Sequence, residues 1–136
     1  MEIKYTFFTF ALYPLFMHYI DLKEIGKEHI YGTWDVLSRH INAASQTNVF
    51  SDVRIIEMES EGYRSINGKE RAGNWDVIRE NEVIYNPQLK FFIEGVQVGK
   101  AIITRLVAKK LFNDEVYNLT LYFNSGLELI LQKRSA

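Results

Sequence analysis

The sequence contains no cysteine. That absence removes disulfides, thiol nucleophiles, iron–sulfur clusters and cysteine zinc sites together. Proline is nearly absent, with two in 136 residues, and charge of one sign never accumulates. Sixteen Lys and Arg are interspersed with seventeen Asp and Glu for a net charge of −1. Without a basic stripe there is no electrostatic footprint for nucleic acid. The three histidines, His18, His29 and His40, lack metal-ligand spacing. Gly62, Gly68 and Gly73 are not followed by the helix that a phosphate loop requires, so no cofactor is expected.

A catalytic constellation is also missing. Ser38 lies near His40 but has no third partner or nucleophile turn. Asp35 and Asp76 offer two carboxylates of the kind that acid–base work uses. Each immediately follows a tryptophan, so alternation along a strand sends it to the opposite face, outwards. The expectation is therefore a protein without catalytic residues or a metal. Asn118-Leu119-Thr120 is a formal glycosylation sequon that falls within a strand.

What is present is apolar and aromatic. Hydrophobic residues make up 47% and aromatics 14%, rich in Tyr, Phe, Val and Ile, which suit strands. The length predicts one domain. Residues 1–20 stand apart, because Tyr5 to Ile20 runs sixteen residues without a formal charge. They are expected to be an apolar leader, a signal peptide or membrane anchor, which would make the protein exported or membrane-associated. Membrane contact is expected only through residues 5–20, if these are retained. The alternative is a buried strand and turn within a cytoplasmic protein. Residues 21–30 read as a short helix and linker, since Asp21 and Glu24 have N-cap spacing.

From Tyr31 onwards, extended runs alternate with turn signals. Asn67-Gly68 and Asn124-Ser125-Gly126 have hairpin chemistry. Asn86-Pro87, Gly99 and Asn113-Asp114 are expected to be further turns, with Glu82 to Tyr85 a short strand and Leu89 to Val98 a single one. Ala101 to Leu111 fits an amphipathic helix by spacing, but its β-branched content favours a strand. Seven to nine short strands with tight turns predict an all-β domain over 31–134, an up-and-down antiparallel β-barrel of about eight strands.

Its landmark is Gly32-Thr33-Trp34-Asp35-Val36-Leu37, echoed as Gly73-Asn74-Trp75-Asp76-Val77-Ile78 forty-one residues later. Chance reuse of a strand-opening pattern explains one such echo. The other reading places both indoles in one closed end of the barrel and leaves the opposite end as its mouth. Gly32-x-Trp34 after a short helix resembles the G-x-W motif of lipocalins, a calycin-type barrel family. The order Gly32-Thr33-Trp34, Phe50 to Ile66, Gly73-Asn74-Trp75 and Leu127 to Arg134 is similar to small bacterial lipocalin-like domains. This sequence departs from them in lacking a lipobox cysteine and in its charged stretch Glu57 to Arg71. The resemblance implies structural roles for Gly32, Trp34, Gly73 and Trp75, with Arg134 or Lys133 packed over Trp34.

Three functions compete. The first is non-catalytic binding of a small hydrophobic or amphipathic ligand. Trp34, Trp75, Tyr85, Phe91 and Tyr122 would line its site, and Arg105 would be a polar anchor if its strand faces inwards. The second is a protein-interaction module with a filled barrel, such as an inhibitor of a secreted hydrolase. The third, an enzyme, has no constellation to support it.

Overall fold

A computed structural model describes residues 15–42, 48–79, 86–111 and 114–135 of the chain. The described residues form nine strands: β1 Leu15–Tyr19, β2 Gly32–Ile41, β3 Ile55–Met58, β4 Tyr63–Ile66, β5 Glu70–Ile78, β6 Gln88–Ile93, β7 Val96–Leu111, β8 Asp114–Phe123 and β9 Leu127–Lys133. From β2 each strand pairs antiparallel with the next, and β9 returns to β2. The result is a closed eight-stranded up-and-down barrel, which leaves no unpaired sheet edge within the meander. The all-β expectation holds. The segment Ala101 to Leu111 is strand throughout, as its β-branched residues require.

Turn chemistry explains one departure from the expected strands. The run Leu89 to Val98 is broken by a two-residue hairpin at Glu94-Gly95, both at positive φ (51° and 81°), where Gly95 meets the demand without strain. Gly99 is therefore not a turn residue. It lies inside β7 opposite Phe91, and a Cβ there would stand 2.8 Å from the Phe50 ring. Asp114 already belongs to β8, while Asn113 and Glu82 to Tyr85 lie outside the described residues.

Of the expected leader, Leu15–Tyr19 is strand β1. It pairs with the end of β7 from Leu15 opposite Leu111 to Tyr19 opposite Val107. Ile20 packs against the core. The earlier part of the leader lies outside the described residues, among which no helix is long and apolar enough to cross a membrane. The expected short helix is split into a 3-10 turn at Leu22–Glu24, capped by the Asp21 side chain, and one helical turn, α1, at Lys27–Ile30. Ile25, between them, and Ile30, the last residue of α1, are buried in the core.

Inward positions alternate along the strands, as period-2 geometry demands. Trp34, Ile56, Leu89, Phe91, Ile103, Leu119, Leu121, Phe123, Leu129 and Leu131 form one continuous cluster. At about 25 cal/mol per Å² of apolar surface removed from water, burial of this cluster is the main stabilising contribution.

Candidate functional site

One end of the barrel is closed by the segment before β2. Gly32 pairs with Met58, and Tyr63 pairs with Gly73, so β2 and β5 bring both tryptophans to the end where β3 turns into β4. The Trp34 indole N–H donates to the Ile30 carbonyl at 2.8 Å, and that of Trp75 donates to the Glu59 carbonyl at 2.7 Å. A lysine covers each ring. Lys133 Nζ stands 5.1 Å from the Trp34 ring centre and Lys27 Nζ 4.6 Å from that of Trp75. Tyr31 adds an edge-on contact to Trp75 with ring centres 5.9 Å apart. The two G-x-W segments thus perform the same job at the same end. Burial against the rings holds the Lys133 ammonium below its ordinary pKa.

The glycines make these packings feasible. A Cβ at Gly73 would lie 2.0 Å from the Phe92 carbonyl oxygen, and one at Gly32 would press on the Lys133 stem at 3.2 Å. Lys133, of the two residues named above, is the one over Trp34. Arg134 instead makes a two-pronged pair with Asp35, Nε to Oδ2 and Nη2 to Oδ1, each 2.8 Å, on the outer face. The donated hydrogen bonds hold the Asp35 carboxyl below its ordinary value.

The opposite end is closed differently. Asn48 accepts from the Phe50 N–H at 2.8 Å and the Ser51 hydroxyl accepts from the Asn48 N–H at 3.0 Å, forming a compact side-chain-stapled turn. This turn drives the Phe50 ring into the barrel, where it is fully buried. Its centre lies 4.6 Å from that of Phe91, 5.1 Å from Phe123 and 6.0 Å from Tyr63. Gly99, having no side chain, is the space the ring occupies. Two arginines hold the turn. Arg39 donates to the carbonyls of Ser51 and Val53, and Arg71 donates to that of Val49 at 3.4 Å. Burial pushes the Tyr63 hydroxyl up to about 12.

Between the two plugs the interior is filled, with only a narrow apolar packing gap bounded by Ile30, Trp34, Ile56, Met58, Leu89, Phe91, Leu119, Leu121 and Leu131. None of it is wide enough for a water molecule. Of the expected lining residues, Trp34 and Phe91 do bound this gap. Trp75 is buried beneath Lys27 and Tyr31 at the end, away from it. Tyr85 lies outside the described residues. Arg105 and Tyr122 are not in the interior. Arg105 is exposed beside a bulge in β7, and Tyr122 is 41% exposed because it alternates with inward Leu121 and Phe123. Asp76 is exposed, and among the described residues no group of acidic or histidine side chains is placed to hold a metal ion.

Phe50, Arg39 and Arg71 were not among the residues singled out from the sequence. Asn48-x-Phe50-Ser51 carries turn chemistry that presents an aromatic side chain, a signal open to reading. The arginines give no such signal, because only the folded path of the turn across β3 and β4 brings its carbonyls to β2 and β5. No family model, curated protein or solved structure matches the chain. The closed antiparallel barrel is consistent with a calycin-type fold.

Proposed function

We propose that the protein binds one small apolar or amphipathic ligand inside the barrel, without catalysis, and that Phe50 occupies part of the ligand's place when none is bound. The observation that carries this reading is that Phe50, among the described residues the one fully buried aromatic ring supplied by a turn and not by a strand, packs on Phe91, which borders the apolar gap. Ligand chambers measure about 300 Å³ or more, whereas this gap admits not even a water molecule, so a ligand needs the space that Phe50 fills. Withdrawal of Phe50 enlarges the gap without moving any strand. The filled interior also favours a second reading, in which the barrel is a scaffold for a protein contact and Phe50 never leaves.

Native-state hydrogen exchange of the wild-type chain separates the two. On the ligand reading, amides of 50–54 exchange through a local opening of much lower free energy than global unfolding, and added decanol slows them. A turn that exchanges only with global unfolding, in a protein that takes up no decanol, would rule the ligand reading out.

A further inference from the structure

The apolar chamber alone leaves the two arginines unexplained. Arg39 pairs in register with buried Leu129, and Arg71 with buried Ser65, so both residues sit on the inner face of the barrel. A packed apolar barrel has no use for two inward cations. β3 and β4 lie between their strands, and the turn carrying Phe50 spans the gap. Among the described residues each guanidinium is held by main-chain carbonyls alone: Ser51 and Val53 for Arg39, Val49 for Arg71. Asp52 shares a surface recess of about 350 Å³ with Arg71, Asn48, Val49 and Ser51, but it is exposed on the turn and forms no ion pair with either arginine.

The three carbonyls belong to residues on both sides of Phe50. Any movement that lifts the ring out of the chamber therefore takes the hydrogen-bond partners away from both arginines together. A neutral apolar ligand replaces the ring but leaves two partly buried cations unpaired, which is costly. An anionic head replaces the lost carbonyls as well, through hydrogen bonds about twice as strong as neutral ones. We infer that Arg39 and Arg71 form a head-group site, and that the ligand is a single-chain amphiphile whose apolar chain fills the chamber and whose carboxylate or phosphate replaces the turn's carbonyls. This inference rests on the ligand reading above.

The test is calorimetric titration of the full wild-type chain with decanoate, decyl phosphate and decanol, each kept below its aggregation threshold. At least one anion is expected to bind about tenfold more tightly than decanol, the factor that one charge-assisted hydrogen bond supplies. Comparing the two anions identifies the head group. The anion-to-decanol affinity ratio should fall towards one in Arg39→Gln and in Arg71→Gln, be partly kept in the Lys variants, and shrink with added salt in the wild type. If Arg39→Gln fails to fold, Arg71→Gln and the wild-type salt dependence still decide. Decanol binding as tightly as both anions would overturn the head-group site and leave the apolar chamber standing. Absence of binding by all three would overturn both.

Discussion

The two ends of the barrel are sealed by related means, and the difference between them lies in redundancy. In each, a segment outside the eight-stranded meander presses an apolar side chain inwards, and cations hold the segment's carbonyls. At the tryptophan end the segment inserts both Ile25 and Ile30. Arg79 grips the carbonyls of Leu22, Lys23 and Ile25 at 2.9, 2.9 and 3.0 Å. The Trp34 indole, itself part of a strand, bonds the same segment at Ile30. At the other end the turn inserts the Phe50 ring and Val53, with Val49 packed beside them, and besides the two arginines one side-chain contact, Asn48 to Ser125 at 3.1 Å, ties the turn to the β8–β9 connection. A seal with several independent anchors survives the loss of one. A seal whose largest side chain is carried by a turn loosens when that ring leaves, which places it towards the low-stability end of local opening.

Removing the central ring at each end gives the largest expected effects. Trp34→Ala deletes a fully buried indole bounded by strand residues that cannot close the gap, so about 4 kcal/mol should be lost in urea denaturation. Phe50→Ala deletes an equally buried ring, but its turn is free to settle into the space. The expected cost is smaller, about 2–3 kcal/mol. Equal losses, or a greater loss at Phe50, would break the comparison by showing the Phe50 turn to be as fixed as the strands.

Tyr63 sharpens the same contrast, because its ring packs on Phe50 and its hydroxyl is held up at about 12, against an ordinary value of 10.0. The unfolded chain releases this proton near pH 10 while the folded chain retains it. Stability contributed by the neutral phenol is therefore present in full below pH 10 and is lost as pH rises to about 12. The gap corresponds to about 2 kcal/mol. Tyr63→Phe should flatten that part of the stability curve, measured as urea midpoints between pH 9 and 12. Identical curves for wild type and Tyr63→Phe would mean that Tyr63 is solvated in solution.

Much of this architecture was legible along the chain, for a physical reason. Hairpin turns and strand alternation are local, so Asn67-Gly68, Asn124-Ser125-Gly126 and the β-branched run of β7 each announce themselves. The paired tryptophans were also readable, because their Gly-x-Trp context is short-range even though their meeting is not. Gly99 misled, since a glycine marks a turn or a close approach equally well, and the reason for this one, the Phe50 ring, lies forty-nine residues away in sequence. Arg105 misled through parity, because an irregularity between Ile103 and Arg105 shifts the register of β7 against β8, whereas Tyr122 is turned outwards by simple alternation with Leu121 and Phe123. The arginine pair at the Phe50 end was beyond reach, because only the three-dimensional path of the Phe50 turn across β3 and β4 brings its carbonyls to Arg39 and Arg71.

The smallest effects concern Lys133, the last residue of β9, and Arg134 just after it, which face opposite ways. The Lys133 stem packs on Gly32, and its ammonium lies over Trp34 and, 5.2 Å from the ring centre, over Tyr117. Lys133→Ala removes both the apolar stem and the cation–π contact, for an expected loss of about 1 kcal/mol in thermal or urea unfolding. Lys133→Met keeps the stem and should recover part of that loss. Arg134 is joined to Asp35 in solvent, where Coulomb attraction is screened and ordering two side chains offsets it. Arg134→Ala should therefore cost less than Lys133→Ala at neutral pH. What it does cost should vanish in acid, because a carboxyl held below its ordinary value contributes stability above that value and loses it as pH falls through the depressed one. An Arg134→Ala loss that exceeds that of Lys133→Ala, or that persists after Asp35 is protonated, would move the weight at this end from the covered indole to the outer ion pair.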